Sequence, residues 1–208
     1  LVNKFGAKNV YIATSAVTGP KSPFTFAQKK KIIQAYGVPA NRIIKVKDPY
    51  KAVEITSKLP EDTPIVFGFG AKDAGRLTSG KYFKDYEEGK KLVGYTKNGY
   101  ITVLPHVALK VNGKEMSGTS IRATLGDKGV NKAKKLKFFK GIFGHNKPAI
   151  YKLVVDKLTR LSEERMELRG LLLMGGAYGH MAHPFDDSNL TFGDFKSMIT
   201  RLLKGGVN

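Results

Sequence analysis

MSGTSIR, residues 116–122, follows a strand-like run and opens a predicted helix, which places hydroxyls and a guanidinium at the start of that helix. The first N–H groups of a helix have no intrahelical partner and the macrodipole makes that end positive, so anions bind there. Ser117 or Thr119 can cap the helix, and Arg122 can donate a pair of hydrogen bonds to a phosphate. Gly118 leaves the backbone open to a bulky ligand. These residues predict a phosphate cradle; the alternative is an ordinary capped helix.

The motif also resembles the I-S-x-T-x-[IL]-R signature of the nucleotidylyltransferase superfamily, with Met116 in place of the first isoleucine. This resemblance covers residues 1–125 and implies an ATP-binding transferase with a Rossmann-like fold. It makes Ser117, Thr119 and Arg122 the catalytic residues, with Gly118 beside the nucleotide. In such enzymes a phosphorylated small molecule attacks the α-phosphorus of a nucleoside triphosphate that carries Mg²⁺, and pyrophosphate leaves. The protein contributes positioning and charge neutralisation rather than a nucleophile.

Strand-like and helix-like segments alternate ahead of the motif. The predicted strands are 9–15, 42–46, 64–69 and 100–104, and the predicted helices are 25–36 and 49–58. This alternation predicts an α/β fold with a doubly wound parallel sheet. Residues 1–7 have the pattern of a helix end that closes at Gly6, so we expect the first strand of that sheet to be missing from the chain.

The composition changes after the motif, and we predict three regions. Residues 1–128 form the nucleotidylyltransferase-like α/β domain, 129–174 a basic helical extension, and 175–208 a Gly/His-rich linker with a terminal helix. Apolar spacing predicts the helices of the last two regions at 131–139, 147–161, 163–174 and 192–203.

Two more loops are expected at the carboxyl ends of the predicted strands, where doubly wound sheets bind their ligands. The first leads into residues 23–29, which resemble the P-[FL]-x-x-x-x-[RK] pattern of the superfamily. The second lies where the superfamily has a G-[SA]-D-like turn. Their predicted nucleotide-binding residues are Thr14, Ser15, Lys21, Gly68, Gly70, Lys72 and Asp73. The alternatives are a hydroxyl-rich turn for the first loop and a plain glycine turn for the second.

The other hallmark of the superfamily, an H-x-G-H turn after the first strand, does not occur in the 208 residues. Its imidazoles stabilise the α- and β-phosphates, so we expect little turnover from the chain as it stands. Enzyme activity then depends on such a motif upstream of Leu1. His180 and His183 have a different spacing; a metal pair with Asp186 or Asp187 is one interpretation and polar loop histidines the other. The ligand set is incomplete for zinc, and we predict no metal site.

Residues 179–195 resemble a segment of large tailed-bacteriophage proteins that follows a nucleotidyltransferase-like module and precedes a ligase-like domain. This resemblance implies a piece of a longer, phage-encoded polypeptide, located in the host cytoplasm or in the virion. The net charge of +19 and the missing H-x-G-H turn favour the alternative function: a catalytically inactive structural, assembly or nucleic-acid-associated protein that keeps the fold.

The composition limits the partners. A net charge of +19 favours nucleotides, nucleic acid or an anionic assembly, although high solubility is the other explanation. The region 132–152, with Phe138, Phe139 and Phe143, could bind RNA, but aromatic residues at helical spacing are more often core. The absence of cysteine excludes disulfides and thiolate metal sites. No apolar run is long enough to cross a bilayer, and we expect no membrane partner.

Overall fold

The computed structural model describes residues 1–71, 81–105 and 108–176, with side chains as far as residue 168. The chain divides into two compact units. Unit 1 comprises Leu1–Ser15 and Asn41–Leu109, and unit 2 comprises Ala16–Ala40 and Lys110–Asn208. The domain boundary predicted after residue 128 does not coincide with this division and stays a prediction.

Unit 1 contains the longer strands. Its elements are α1 (Val2–Phe5), β1 (Ile12–Ser15), β2 (Ile43–Val46), α3 (Val53–Thr56), β3 (Val66–Phe69), β4 (Phe83–Asp85) and β5 (Gly99–Val103). Strands β1 and β2 pair in parallel, with Ile12 opposite Ile43. Strands β3 and β4 pair in parallel with the two edges of β5, in the order β3-β5-β4. The α/β class and the parallel pairing are therefore confirmed.

The described strands of unit 1 form two sheets, whereas the alternation predicted a single doubly wound one. Each observed sheet buries part of one of its strands. Ile43 and Val46 of β2 are buried, as are Tyr100 and Ile101 of β5. The hydroxyl of Tyr100 also accepts a hydrogen bond of 2.8 Å from the N–H of Val93, which satisfies a polar group at the edge of this core.

Unit 2 is mainly helical. Its elements are α2 (Phe26–Gln34), β6 (Lys110–Val111), β7 (Lys114–Glu115), α4 (Gly118–Gly126), α5 (Lys132–Phe143) and α6 (Pro148–Gly176). Strands β6 and β7 form an antiparallel hairpin whose turn is Asn112-Gly113, with φ of 51° and 77°. Two consecutive positive φ values are what a two-residue hairpin requires, and Asn-Gly is its preferred sequence.

The core of unit 2 is a cluster of apolar side chains from three helices. Its buried members are Leu125, Phe139, Ile150, Val154 and Leu158. Helices α4 and α6 approach closely because Gly126 has no side chain: a Cβ there would lie 2.6 Å from the carbonyl oxygen of Leu158. This packing fixes the position of α4, whose other end carries the predicted cradle.

Predicted and observed bounds differ by one to three residues for most elements, and by more for three helices. Helix α6 is continuous, where two helices were predicted with a break near residue 162. Helix α3 covers four residues of the predicted 49–58. Helix α5 runs four residues beyond its predicted end and closes at Gly144, whose φ of 67° stops the helix. The predicted linker and terminal helix, residues 175–208, lie outside the described residues apart from the last turn of α6. Within the described part of the chain, no helix has the length and hydropathy needed to cross a membrane.

Candidate phosphate-binding site at the N-terminus of α4

The motif offers two candidate caps, Ser117 and Thr119, and Ser117 is the one that caps α4. Its Oγ accepts a hydrogen bond of 3.1 Å from the N–H of Ser120, and its carbonyl accepts the first intrahelical bond, 3.0 Å, from Ile121. The N–H groups of Gly118 and Thr119 have no hydrogen-bond partner among the described residues. The helix therefore presents two free donors at its positive end.

Arg122 is folded back over this helix end. Its Nη2 donates a hydrogen bond of 3.2 Å to Oγ1 of Thr119, and its Nη1 lies 3.5 Å from the carbonyl oxygen of Lys21. A Cβ at position 118 would stand 3.3 Å from Nη1. Gly118 thus admits the guanidinium close to the backbone, and Thr119 orients it.

The electrostatics of this arrangement favour an anion. A helix N-terminus stabilises negative charge, yet the first turn of α4 contains no acidic residue and a guanidinium lies beside it. Two positive centres are therefore held together without a described counter-charge. Arg122 has five N–H donors, of which two are engaged in the contacts above, so donors remain for a ligand.

A cleft of about 250 Å³ adjoins the guanidinium. Its polar side consists of Lys21, Ser22 and Arg122, and its remaining lining is mostly apolar. The other lining residues are Pro23, Phe24, Gly118, Ile121, Phe143, Val154 and Leu158. Phe143 stacks on the buried Phe139 with ring centroids 4.2 Å apart, which fixes the orientation of its ring. A cationic rim beside an apolar wall matches a ligand that has both a phosphate and a flat, weakly polar part.

The structure brings together part of the predicted site. Lys21, Gly118 and Arg122 line one cleft, and Ser117 and Thr119 belong to the same helix end. The hydroxyl of Ser117 is engaged in capping, so its part in phosphate binding would be to hold the helix end in place.

The other predicted residues belong to unit 1 or fall outside the described residues. Thr14 and Ser15 end β1, and Gly68 lies in β3, all in unit 1. A Cβ at Gly68 would lie 3.1 Å from a methyl group of Leu104, so at this glycine the close approach is made by a side chain of the same unit. No atom lies within 4 Å of a Cβ built at Gly70. Lys72, Asp73, His180, His183, Asp186 and Asp187 fall outside the described residues.

Sequence reasoning missed the wall of the cleft. Pro23 and Phe24 enter the prediction only as part of the P-[FL]-x-x-x-x-[RK] pattern, and Phe143 only among the aromatic residues of the region 132–152. The Asn112-Gly113 turn was missed as well, although this dipeptide between short apolar runs is a strong hairpin signal. A wall assembled from the loop before α2, from α5 and from α6 depends on tertiary packing, for which the sequence gives no local signal.

Among the described residues, no group of three or more His, Cys, Asp or Glu side chains could hold a metal ion. Comparison of the chain with protein-family models, with curated proteins and with solved structures gives no match.

Proposed function

We propose that the cleft at the N-terminus of α4 binds a nucleoside triphosphate and that the protein transfers its nucleoside monophosphate to a phosphorylated small molecule. The observation that supports binding best is the guanidinium of Arg122 above Gly118, at a helix end with no acidic residue in its first turn. The transfer reaction rests on the resemblance of residues 116–122 to the nucleotidylyltransferase signature. The Rossmann-like form of the fold is part of the same proposal, supported by the parallel pairing within both sheets of unit 1.

Different residues of the site would contact the phosphates and the base or ribose. The N–H groups of Gly118 and Thr119 and the unused N–H groups of Arg122 would donate to phosphate oxygens, and the ammonium of Lys21 would add charge at the rim. Phe143 would offer its ring to the base or the ribose, because its other side is covered by Phe139.

The reaction needs no nucleophile from the protein. A phosphate oxygen of the acceptor forms a bond to the α-phosphorus, the bond from that phosphorus to the bridging oxygen breaks, and pyrophosphate leaves with the electron pair. Arg122 and the free N–H groups would neutralise charge that spreads over the phosphate oxygens as the bonds change. The described lining contains no carboxylate, so the cleft is not built to hold Mg²⁺ itself; the ion would arrive as the counter-ion of the triphosphate.

Calorimetric titration with ATP and with CTP tests binding. Replacing Arg122→Ala removes charge-assisted hydrogen bonds, each worth about 1.5–3 kcal/mol, so affinity should fall about tenfold or more. Arg160→Ala is the matched control, because Arg160 is an exposed arginine of unit 2 that does not line the cleft. The proposal is wrong if the protein binds neither nucleotide, or if the Arg122 and Arg160 variants bind equally well.

A second candidate is a protein that binds the same phosphate without transferring it, in a structural or assembly role in a phage particle. The observation in its favour is the cleft lining, which among the described residues contains no imidazole that could stabilise the α- and β-phosphates as the H-x-G-H turn of the superfamily does. A pyrophosphate-release assay with a panel of phosphorylated acceptors separates the two candidates. Release that is lost in Arg122→Ala supports the transferase, and tight nucleotide binding without release supports the binding protein. The cytoplasmic or virion location belongs to these proposals.

A further inference from the structure

Helix α5 lies in a part of the chain that carries only positive charge. Between residues 128 and 155 the sequence has eight lysines and no aspartate or glutamate. Two of these lysines have acidic partners outside that stretch: Lys128 pairs with Glu163, and Lys152 pairs with Asp156 at 2.5 Å. The lysines of α5 itself form no ion pair among the described residues. Five of the eight lysines lie on α5, which contains no acidic residue.

Three of these lysines form a row on the exposed side of α5. Lys134, Lys137 and Lys140 are exposed and are spaced three residues apart. Residues at this spacing are neighbours on a helix surface, with Cβ atoms about 5–6 Å apart. The opposite side of the helix holds Phe139, which is completely buried. We refer to Lys134, Lys137 and Lys140 as the α5 lysine row.

The β6–β7 hairpin adds a fourth cation. Val111 packs against Gly141 of α5, where a Cβ would lie 3.3 Å from Cγ2 of the valine. Lys114 is paired with Val111 in the hairpin register and therefore shares its face, with Cβ atoms about 4.5–5.5 Å apart. Gly141 directly follows Lys140, so the exposed ammonium of Lys114 belongs to the same basic surface.

This concentration of charge opposes folding of the helix. Like charges three residues apart repel, and lysines in the first turn of α5 face the positive end of its dipole without an acidic residue there. The helix is held by other contacts: Oδ1 of Asn131 caps it by accepting 2.9 Å from the N–H of Lys134, and Phe139 anchors it in the core. A polyanion on this surface would remove the repulsion.

The side chains around the row indicate which polyanion fits. The residues beside the lysines on the exposed side are Ala133 and Gly141, and α5 exposes no large apolar side chain. A helix that inserts into a lipid surface needs such side chains. Lysine is a flexible point charge that suits phosphates, whereas the reading of bases favours forked donors such as arginine. We propose that the α5 lysine row, together with Lys114, binds the phosphate backbone of a nucleic acid without sequence preference.

The test compares two triple variants that lower the net charge equally, using a fluorescent single-stranded DNA of about 20 nucleotides at several salt concentrations. The first variant is Lys134→Gln, Lys137→Gln and Lys140→Gln. The control is Lys51→Gln, Lys58→Gln and Lys97→Gln, at exposed lysines of unit 1. Removing three phosphate contacts should reduce the slope of log K against log salt by about 2 and the affinity at low salt about tenfold or more. The control should keep the slope of the unmodified protein.

Measurements of the melting temperature show whether the row variant is folded. The DNA should raise the melting temperature of the unmodified protein, and the row variant should fold at least as well alone but gain less from DNA. The row variant should also keep its affinity for ATP, which separates this surface from the cleft at α4. Equal losses in the two variants would overturn the proposal, because they would show an effect of net charge alone. Tighter binding to vesicles of anionic lipid than to DNA would overturn it in favour of a membrane surface.

Discussion

The two units differ in how their charges are balanced. Unit 1 has 14 lysines and arginines against 8 acidic residues, and its exposed ion pairs include Lys4 with Glu88 at 2.8 Å and Lys90 with Glu87 at 2.6 Å. Unit 2 has 22 against 9. Both have a buried apolar core, so the difference is not one of packing.

Stability alone accounts for the surface charges of unit 1 but not for those of unit 2. Surface ion pairs, such as Lys4 with Glu88 in unit 1 and Lys128 with Glu163 in unit 2, contribute little to stability, but each leaves little local field. Unit 2 places cations at two helix N-termini, those of α4 and α5, without acidic residues in the first turns. Such placements oppose folding, and an anionic ligand is the simplest physical reason for them.

The largest expected effect tests whether the charged helix α5 is held by its core. Phe139→Ala removes a ring that is completely buried, and truncations of this kind cost about 3–5 kcal/mol. Ile101→Ala in unit 1, also buried, should cost about 2–5 kcal/mol. Chemical denaturation measures both. A loss below about 1 kcal/mol for Phe139→Ala would contradict the packing of α5 and with it the contrast between the units.

A smaller effect tests the close approach of α4 and α6. Gly126→Ala adds a Cβ that would lie 2.6 Å from the carbonyl oxygen of Leu158. Overpacking of this kind costs about 1–3 kcal/mol. Gly19→Ala is the control in the same unit, because no atom lies within 4 Å of its Cβ. If the Gly126 variant melted at the same temperature as the Gly19 variant, the position of α4 would not depend on this contact.

The smallest effect concerns a polar contact of unit 1. Burial raises the pKa of Tyr82 above its ordinary value of 10.0, with a smaller effect from Tyr95, whose carbonyl accepts a hydrogen bond of 2.6 Å from the Tyr82 hydroxyl. A folded-state pKa above the unfolded one gives stability that is complete below pH 10 and is lost as the pH rises through the folded value. Tyr82→Phe should cost about 1 kcal/mol at neutral pH and make alkaline unfolding less steep.

Tyr50→Phe is the control for this measurement, since the hydroxyl of Tyr50 has no hydrogen-bond partner among the described residues. Equal unfolding curves for the two variants between neutral pH and pH 11 would show that the Tyr82 hydroxyl makes no net contribution.

The local features of the fold were predictable because neighbouring residues determine them. The helices predicted to begin at residues 25 and 131 begin one residue later, where Thr25 and Asn131 cap them, and α4 begins after Ser117, one of the two caps that the motif offered. A side-chain oxygen ahead of an apolar period indicates such a start.

The arrangement of the strands was harder to predict from the sequence. Strand β4 has three residues and is defined by its pairing with β5, so no local pattern indicated it. The separation of the strands into two sheets is likewise a matter of pairing between distant residues. The break predicted near residue 162 of α6 does not occur, because no glycine or proline is present there to end the helix.

The candidate site likewise has a local part that was predictable and a part formed by tertiary packing that was not. The motif located Ser117, Gly118, Thr119 and Arg122 at a helix N-terminus, because the start of a helix is a local structure. The apolar wall with Phe143 was not predicted, because it exists only once α5 and α6 are packed.

The most direct test of the central claim follows the backbone amides of ¹⁵N-labelled protein by NMR while ATP is added. We predict that the resonances of Gly118 and Thr119 move most and saturate together, and that Arg122→Ala weakens this response whereas Arg160→Ala does not. Saturable binding of ATP that leaves the amides of Gly118 and Thr119 unchanged would contradict an anion site at the N-terminus of α4.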